Sequence, residues 1–485
     1  MKSHVSTLLL SLALGFAPAM AQDAQQDAAA SSHEPTTLVV SLEDCLRVAL
    51  SENPTVKVAD MEIKRMDYSR IETLSSLLPQ ISFSGTYGRT IAKQVMYMNM
   101  DISKYTGGGG STEGGTEGDA DSKSRADAGA AGKSDGIKVG LDNSYQLGFS
   151  ASLPLIAPQL WAALKLSDTQ ILASVEQARA SKLNLVNEVK NAYYALLFAV
   201  DSRDVIQQNY DMAAFTHELY KKKYEAGAAS DYDVLRTSVA MKNVEPQISQ
   251  AEIAIKQARL KLAILMGLDT DFLIVANDSL QRYEGTMYGD ALLASSQDVS
   301  NNTQLIMNQI QTKQLEQALK VQKAAVYPTL AASASYSWTS MSDGSPFKNF
   351  RWNPYSMVGL SLNVPLFTGG SRWSKVKQAQ VQLDEMKWQR ENLERNVQMQ
   401  VDLAVDNINV NVQQIASSSE NVGQATRAHD IMQKSFTIGS ASYIELRDSE
   451  LALTQSQLTY YQAIYDYLVS QSQLELLLGT AKIEY

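Results

Sequence analysis

One cysteine, Cys45, stands among 485 residues, so there is no internal disulfide and no cysteine pair for a zinc site. The four histidines are scattered, which leaves little for a metal centre. Lys and Arg (42) are outnumbered by Asp and Glu (52), so the basic footprint of a nucleic-acid surface is missing. Glycine (26) and proline (11) are scarce for this length. After the N-terminal leader no segment reaches the ~18 apolar residues of a membrane helix. The longest, Ala192–Val200, lies between Asn191 and Asp201. No nucleophile, base or metal constellation stands out, so no enzyme activity and no cofactor is expected. What is present is 45% hydrophobic and 19% charged, which supports a core or a lipid face and argues against wholesale disorder.

Lys2, the apolar run Leu8 to Ala17 and the small-x-small site Ala19-Met20-Ala21 read as a secretory signal peptide over 1–21. No cysteine follows the cleavage site, which argues against a lipid anchor. A polar linker is expected over 22–40.

The chain repeats itself. Asn53-Pro54 and Asn302-Thr303 are each followed 25 residues later by a proline, Pro79 and Pro328. Ser152-Leu-Pro154-Leu-Ile156 resembles Asn363-Val-Pro365-Leu-Phe367. Pro154 to Gly227 is 73 residues and Pro365 to Gly439 is 74; Gly227 to Gly267 and Gly439 to Gly479 are both 40. One mismatch stands out, since Pro79 to Pro154 is 38 residues longer than Pro328 to Pro365. The excess falls in a Gly/Ser/Asp/Glu-rich loop at about 98–136, which is expected to be a disordered external insertion. The repeats are expected at 41–267 and 301–479, joined by a connector at 268–300 and followed by a tail at 480–485.

Between the prolines the period is two. Ile81, Phe83, Gly85 and Tyr87 alternate with Ser82, Ser84 and Thr86; Tyr145, Leu147, Phe149, Ala151 and Leu153 alternate with Gln146, Gly148, Ser150 and Ser152. The second copy matches, with Leu330 to Trp338 and Val358 to Val364. These are four strands with one apolar and one small, polar face. A half-buried sheet in a soluble domain fits, and a membrane barrel fits better. Trp338 and Trp352 lie at the loop side of the strands, and Trp161 and Trp373 just past the strand-ending prolines, where interfacial aromatics belong.

Elsewhere the period is helical. Val186, Val189, Tyr193, Leu196 and Val200 form a 3-4 seam, and Val401, Val405, Ile408, Val412 and Ile415 form another, four of each set corresponding at an offset of 212. Leu155–Lys223 and Leu366–Ser435 each read as one helix of about 100 Å at 1.5 Å per residue. Each returns from a tip glycine as a shorter helix, about Tyr232–Met266 and Tyr443–Leu478, stacked on a ~25-residue helix (Pro54–Leu78, Thr303–Tyr327). Pro154 and Pro365 are expected where strand turns into helix.

This plan, with Asn53-Pro54 and the tip motifs Tyr224-Glu-Ala-Gly227-Ala-Ala-Ser230-Asp-Tyr-Asp233 and Phe436-Thr-Ile-Gly439-Ser-Ala-Ser442-Tyr-Ile-Glu445-Leu-Arg-Asp448, resembles the TolC-like outer-membrane efflux proteins. The resemblance covers about Ser41–Gly479. It implies an α+β membrane protein: a homotrimer with a 12-stranded outer-membrane barrel, four strands per chain, continued by a long periplasmic α-helical barrel. Strand count alone requires an oligomer, because four strands leave two edges that lipid does not tolerate. Two copies would give eight strands and three would give twelve; the resemblance selects three. It further implies an exit duct of an efflux or type I secretion system, in contact with outer-membrane lipid. A periplasmic adaptor and an inner-membrane pump of RND or ABC type would dock at the tips around Gly227, Ser230, Gly439 and Ser442. A competing reading is a periplasmic coiled-coil structural or adaptor protein without a barrel.

The tips carry the candidate site. Asp233 and Glu445 both stand six residues past the tip glycine, and Asp448 stands nine past. The resemblance implies that the second-repeat acids ring the periplasmic entrance, although Glu445 departs from the family's Asp and Arg236 stands where repeat one would carry an acid. Glu445 and Asp448 share a helix face, and three copies would bring six carboxylates to one mouth; an ordinary solvated face is the alternative. Arg447 and Arg236 are candidates for salt bridges that hold the mouth shut. His217 and His429 are repeat-equivalent and expected as packed interhelical residues, and Cys45 as a buried small one.

Overall fold

The computed structural model describes residues 37–96, 137–269, 272–285, 298–345 and 351–483. The expected signal peptide, most of the linker and the insertion at 98–136 lie outside them.

The chain starts with strand β1 (Thr37–Val40), so the linker ends earlier than expected. Helix α1 (Leu42–Glu52) opens on a capping box in which Ser41 and Asp44 bond reciprocally. Helix α2 (Pro54–Ser75) follows at once, capped by Asn53, with Pro54 in its first turn. Strand β2 (Gln80–Arg89) begins immediately after Pro79. A short ribbon, β3 (Gln94–Met96) with β4 (Ile137–Val139), extends the hairpin outward. Strand β5 (Asn143–Ile156) leads into helix α3 (Pro158–Glu225), 68 residues long.

The return of the first repeat is two helices, α4 (Asp231–Lys242) and α5 (Glu245–Met266), where one was expected. Pro246 is the cause: it has no N–H for the Lys242 carbonyl, and its ring clashes with that carbonyl in a regular helix. Strand β6 (Leu273–Ala276) in the connector pairs parallel with β1. The second repeat comprises α6 (Thr303–Ala324), β7 (Thr329–Ser342) directly after Pro328, β8 (Asn353–Asn363), the 67-residue α7 (Ser371–Thr437) and an unbroken return, α8 (Tyr443–Leu478).

Two junction expectations are corrected. Pro154 lies inside β5, beside an irregularity in the β5–β7 ladder between Pro154 and Ile156. The proline that opens α3 is Pro158, whose fixed φ suits a first helical position. Pro365 lies past the end of β8, and α7 begins six residues later at Ser371, behind left-handed Gly369 and Gly370.

The four long strands form one antiparallel sheet in the order β2-β5-β7-β8. The register joins like with like. Phe83 pairs with Phe149, which pairs with Tyr336; Ile81, Ala151, Ala334 and Val358 form another row. The alternate rows are polar, as in Ser82, Ser150 and Ser335, or Thr86, Gln146, Thr339 and Asn353. Ser84, Gln146, Ser150, Ser335, Ser337 and Thr339 line a concave hollow of about 520 Å³. The sheet is therefore apolar on one face and hydroxylated on its hollow face, with the outer edges of β2 and β8 unpaired among the described residues.

The main core lies among the helices. Val186, Val189, Tyr193 and Leu196 of α3 are buried against Cys45, Leu46 and Ala49 of α1, Leu262 and Met266 of α5, and Ile464 and Tyr467 of α8. Val401, Ile408 and Ile415 carry the α7 seam into the same core. The connector is clasped to this waist: the Tyr193 hydroxyl donates to Asp278 (3.1 Å) and the Leu280 N–H to Asp201 (3.0 Å).

Candidate functional site: the helical tips

Each long helix ends at a glycine with positive φ, Gly227 at 75° and Gly439 at 80°. A left-handed residue at this point reverses the chain, and glycine adopts it without a Cβ clash. The returning helix then starts on a serine N-cap. Ser230 caps α4 and Ser442 caps α8, each in a capping box with the acid three residues on. This box accounts for Asp233 and Glu445 in chemical terms. The Ser230 hydroxyl donates to Asp233 at 2.7 Å, and the Ser442 N–H donates to Glu445 at 2.7 Å. Both carboxyls are held below their ordinary range, Asp233 first by the Ser230 side chain and Glu445 first by the Ser442 backbone. Asp448 is exposed one turn further along the face that carries Glu445.

The arginines do different work from that expected. Arg447 turns away from the exposed acids. Its guanidinium donates to Glu450 (3.1 Å) and across to Asn209 of α3 (2.9 Å), both nearly buried. It ties α8 to α3. Arg236 approaches Asp233 only to 3.7 Å. It also stacks over the Tyr443 ring, 4.5 Å from the guanidinium carbon to the centroid, which joins the two tip hairpins. Tyr220 meets Tyr443 edge-on at 5.7 Å, and Lys223 lies 5.3 Å from both the Tyr220 and Phe436 rings. Phe436, Tyr443 and Leu446 form a separate small core at this end. Burial pushes the Tyr220 and Tyr443 hydroxyls up. Sequence reading missed this cluster. The aromatic residues at both tips were its only signal, and their pairing across repeats is not written in spacing.

The histidines fall where expected. His217 Nδ1 lies 3.1 Å from the Thr237 hydroxyl and His429 Nδ1 3.4 Å from Ser449, each joining a long helix to its return. Cys45 is fully buried, its thiol pushed up to about 12. Among the described residues no cluster of ligands could hold a metal.

At the barrel end, Trp161 and Trp373 lie in the first turns of α3 and α7, both largely exposed, and Trp352 directly precedes β8. Trp338 is inside β7, paired with Leu147 and Pro354, because the strand runs four residues further than its sequence pattern indicated.

A sheet with one lipid-compatible face, continued through short links by two helices of about 100 Å, defines one subunit of a membrane duct with a helical extension. The chain belongs to the outer membrane efflux protein family, whose pattern matches residues 45–268 and 294–480. It is 23% identical over 336 residues to the outer membrane protein TolC of Vibrio cholerae, covering 69% of this chain and 76% of that one. It is 23% identical over 327 residues to the pyoverdine export outer membrane protein OpmQ of Pseudomonas aeruginosa, covering 67% and 65%. In fold it is similar to the CmeC outer membrane channel of Campylobacter jejuni, with a TM-score of 0.66 at 15% identity, over 97% of this chain and 94% of that one. The protein is therefore an outer-membrane channel with a periplasmic extension, the exit duct of an efflux or type I secretion system, and the reading without a barrel is set aside.

Proposed function

We propose that three copies of the chain close a 12-stranded barrel and a helical tunnel, gated at the tips and coupled there to a periplasmic adaptor and an inner-membrane pump. The observation that carries this is the open sheet. Its lipid-facing rows run across all four strands, while the outer edges of β2 and β8 have no partner among the described residues. Lipid offers no hydrogen bonds to such edges. Four antiparallel strands put β8 of one copy antiparallel to β2 of the next, so the ring closes in the same ladder geometry.

The helices support the same closure. Helix α3 packs on α2 and α5 of its own repeat and also on α6 and α8 of the other. Its counterpart α7 packs chiefly on α6 and α8, leaving Val381, Trp388, Leu403 and Val410 exposed. The Thr169 carbonyl accepts from Gln314 of α6, and the residue equivalent to Thr169 is the exposed Val381. A second copy presenting α2 and α5 would fill the vacant side. Such a head-to-tail interface closes into a ring.

At the mouth, six carboxylates from Glu445 and Asp448 would attract cations, and the Arg236–Tyr443 contact would hold neighbouring hairpins together. The tip turns at Gly227, Ser230, Gly439 and Ser442 would meet the adaptor. Energy for transport would come from the pump, the duct itself carrying out no catalytic step. The test is outer-membrane fractionation, mass in detergent and conductance in a planar bilayer. Outer-membrane recovery, a mass of three chains and a cation-preferring current are expected. Recovery in the soluble periplasm, or a stable monomer, would overturn the proposal.

A further inference from the structure

The two repeats differ in charge where the barrel meets the helices. In the second repeat, the last two turns of α6 carry Lys320 and Lys323, and the first two turns of α7 carry Arg372, Lys375 and Lys377, with no acid among them. All are exposed except Arg372, which is half-buried. In the first repeat Arg70 is engaged by Asp168 at 2.5 Å, and Glu72 offsets Lys165 in count.

Apolar residues continue into this basic zone from the lipid-facing rows. Leu366 and Phe367, in the link from β8 to α7, are about 90% exposed, and Trp373 lies one turn into the helix. Lys377 Nζ lies 5.7 Å from the Trp373 ring centroid. The pair recurs at the same spacing as Trp161 and Lys165 in the first repeat. There, Trp161 stays 48% exposed although α3 is flanked by both α2 and α6. Its equivalent Trp373 would therefore remain exposed after subunits pack on α7.

We propose that this second-repeat rim is a contact surface for anionic phospholipid headgroups of the inner leaflet. Leu366 and Phe367 enter the acyl region, Trp373 lies at the headgroup level, and the bases meet the headgroup phosphates. Charge complementarity and continuity with the lipid-facing sheet select lipid as the occupant. The proposal rests on the outer-membrane duct reading.

The test uses the full-length protein, extracted in mild detergent and equilibrated with equal phosphatidylglycerol and phosphatidylethanolamine, with retained lipid counted by native mass spectrometry. Retention of phosphatidylglycerol over phosphatidylethanolamine is expected. Arg372→Gln with Lys375→Gln and Lys377→Gln should reduce that preference by at least the roughly fivefold expected of one base near a charged surface. Arg372→Lys with Lys375→Arg and Lys377→Arg should keep it, and Lys165→Gln should leave it nearly unchanged. If the triple glutamine variant fails to assemble, Lys377→Gln alone should still show a partial loss. Equal retention by the unaltered protein, an unchanged preference in the glutamine variants, or displacement of the lipid by millimolar inorganic phosphate would overturn the proposal. Failure to enter membranes at all would instead overturn the duct reading.

Discussion

The Asn53 side-chain amide donates to the Leu265 carbonyl at 2.7 Å, so the end of α5 is bonded to the start of α2. The second repeat copies the arrangement. Asn302 donates to the Leu477 carbonyl at 2.7 Å while its side-chain oxygen accepts from Gln304 and Leu305. Each asparagine thus caps one helix and satisfies the orphan carbonyl of another, which stacks two short helices into one long strut beside α3 or α7. Gly267 and Gly479 complete the joint with left-handed conformations, because a Cβ there would run into the backbone of Glu52 or Asn301.

Asn302→Ala should therefore destabilise the folded chain by about 2 kcal/mol, losing a cap and leaving a buried carbonyl unpaired. Asn302→Asp should cost at least as much, since it keeps the cap but sets a buried carboxylate oxygen against the Leu477 carbonyl. Denaturant midpoints in detergent measure both. Gly479→Ala should be worse than either, since it combines strain at positive φ with a backbone clash. A wild-type midpoint for Asn302→Ala would show that the joint contributes nothing.

Glu445→Gln with Asp448→Asn should weaken the cation preference of the channel and its block by multivalent cations from the periplasmic side. Glutamine can still close the capping box, so assembly should be unaffected. Asp233→Asn should have a smaller effect, because Arg236 neutralises its neighbourhood. Reversal potentials in a salt gradient decide this, and an unchanged potential in the double variant would assign both acids to an ordinary solvated face.

The pH dependence has a definite sign. The Ser442 hydrogen bonds lower the Glu445 pKa. Its charge, and the cap that depends on it, are therefore present above the ordinary glutamate value and are lost only as pH falls through the lowered one. Cation preference should persist from neutrality to about pH 5 and decline only below about 4.3. A decline centred near pH 6 would point to histidine instead.

Tyr443→Leu should raise the resting open probability of the channel several-fold, and Tyr443→Phe should not. Phenylalanine retains the face that Arg236 covers, and a partly buried cation–π contact is worth about 1 kcal/mol. Single-channel recording separates the two. Equal behaviour of Leu and Phe would assign the link to shape rather than to the ring.

Backbone amides at 243–247 should exchange with solvent faster than those at 455–459, the equivalent positions of the unbroken α8. Pro246→Ala should reduce the difference by restoring the helical bond to Lys242. Hydrogen exchange read by mass spectrometry tests this, and equal protection in the unaltered protein would show that the break is as tight as a helix.

Local rules determined most of the architecture. Alternation of apolar and hydroxyl residues marked all four strands, and the register then assembled their faces, because a period of two assigns each side chain to one side. Seams at 3-4 spacing marked α3 and α7, and their residues are buried or half-buried as those seams require. Ser41, Ser230 and Ser442 each stand three residues before an acid, the spacing of the capping boxes that the structure shows. Tertiary structure alone decided three things. Arg447 chose Glu450 and Asn209 over the exposed acids, since a guanidinium that turns inward is held by whichever buried oxygens the neighbouring helix presents. Arg236 found Tyr443 across the repeats, a pairing set by how two hairpins lean together. Asn53 and Asn302 acquired their second partners at Leu265 and Leu477 only when distant helix ends met. Spacing along a chain encodes which face a residue occupies. What that face meets depends on contacts that no local periodicity records.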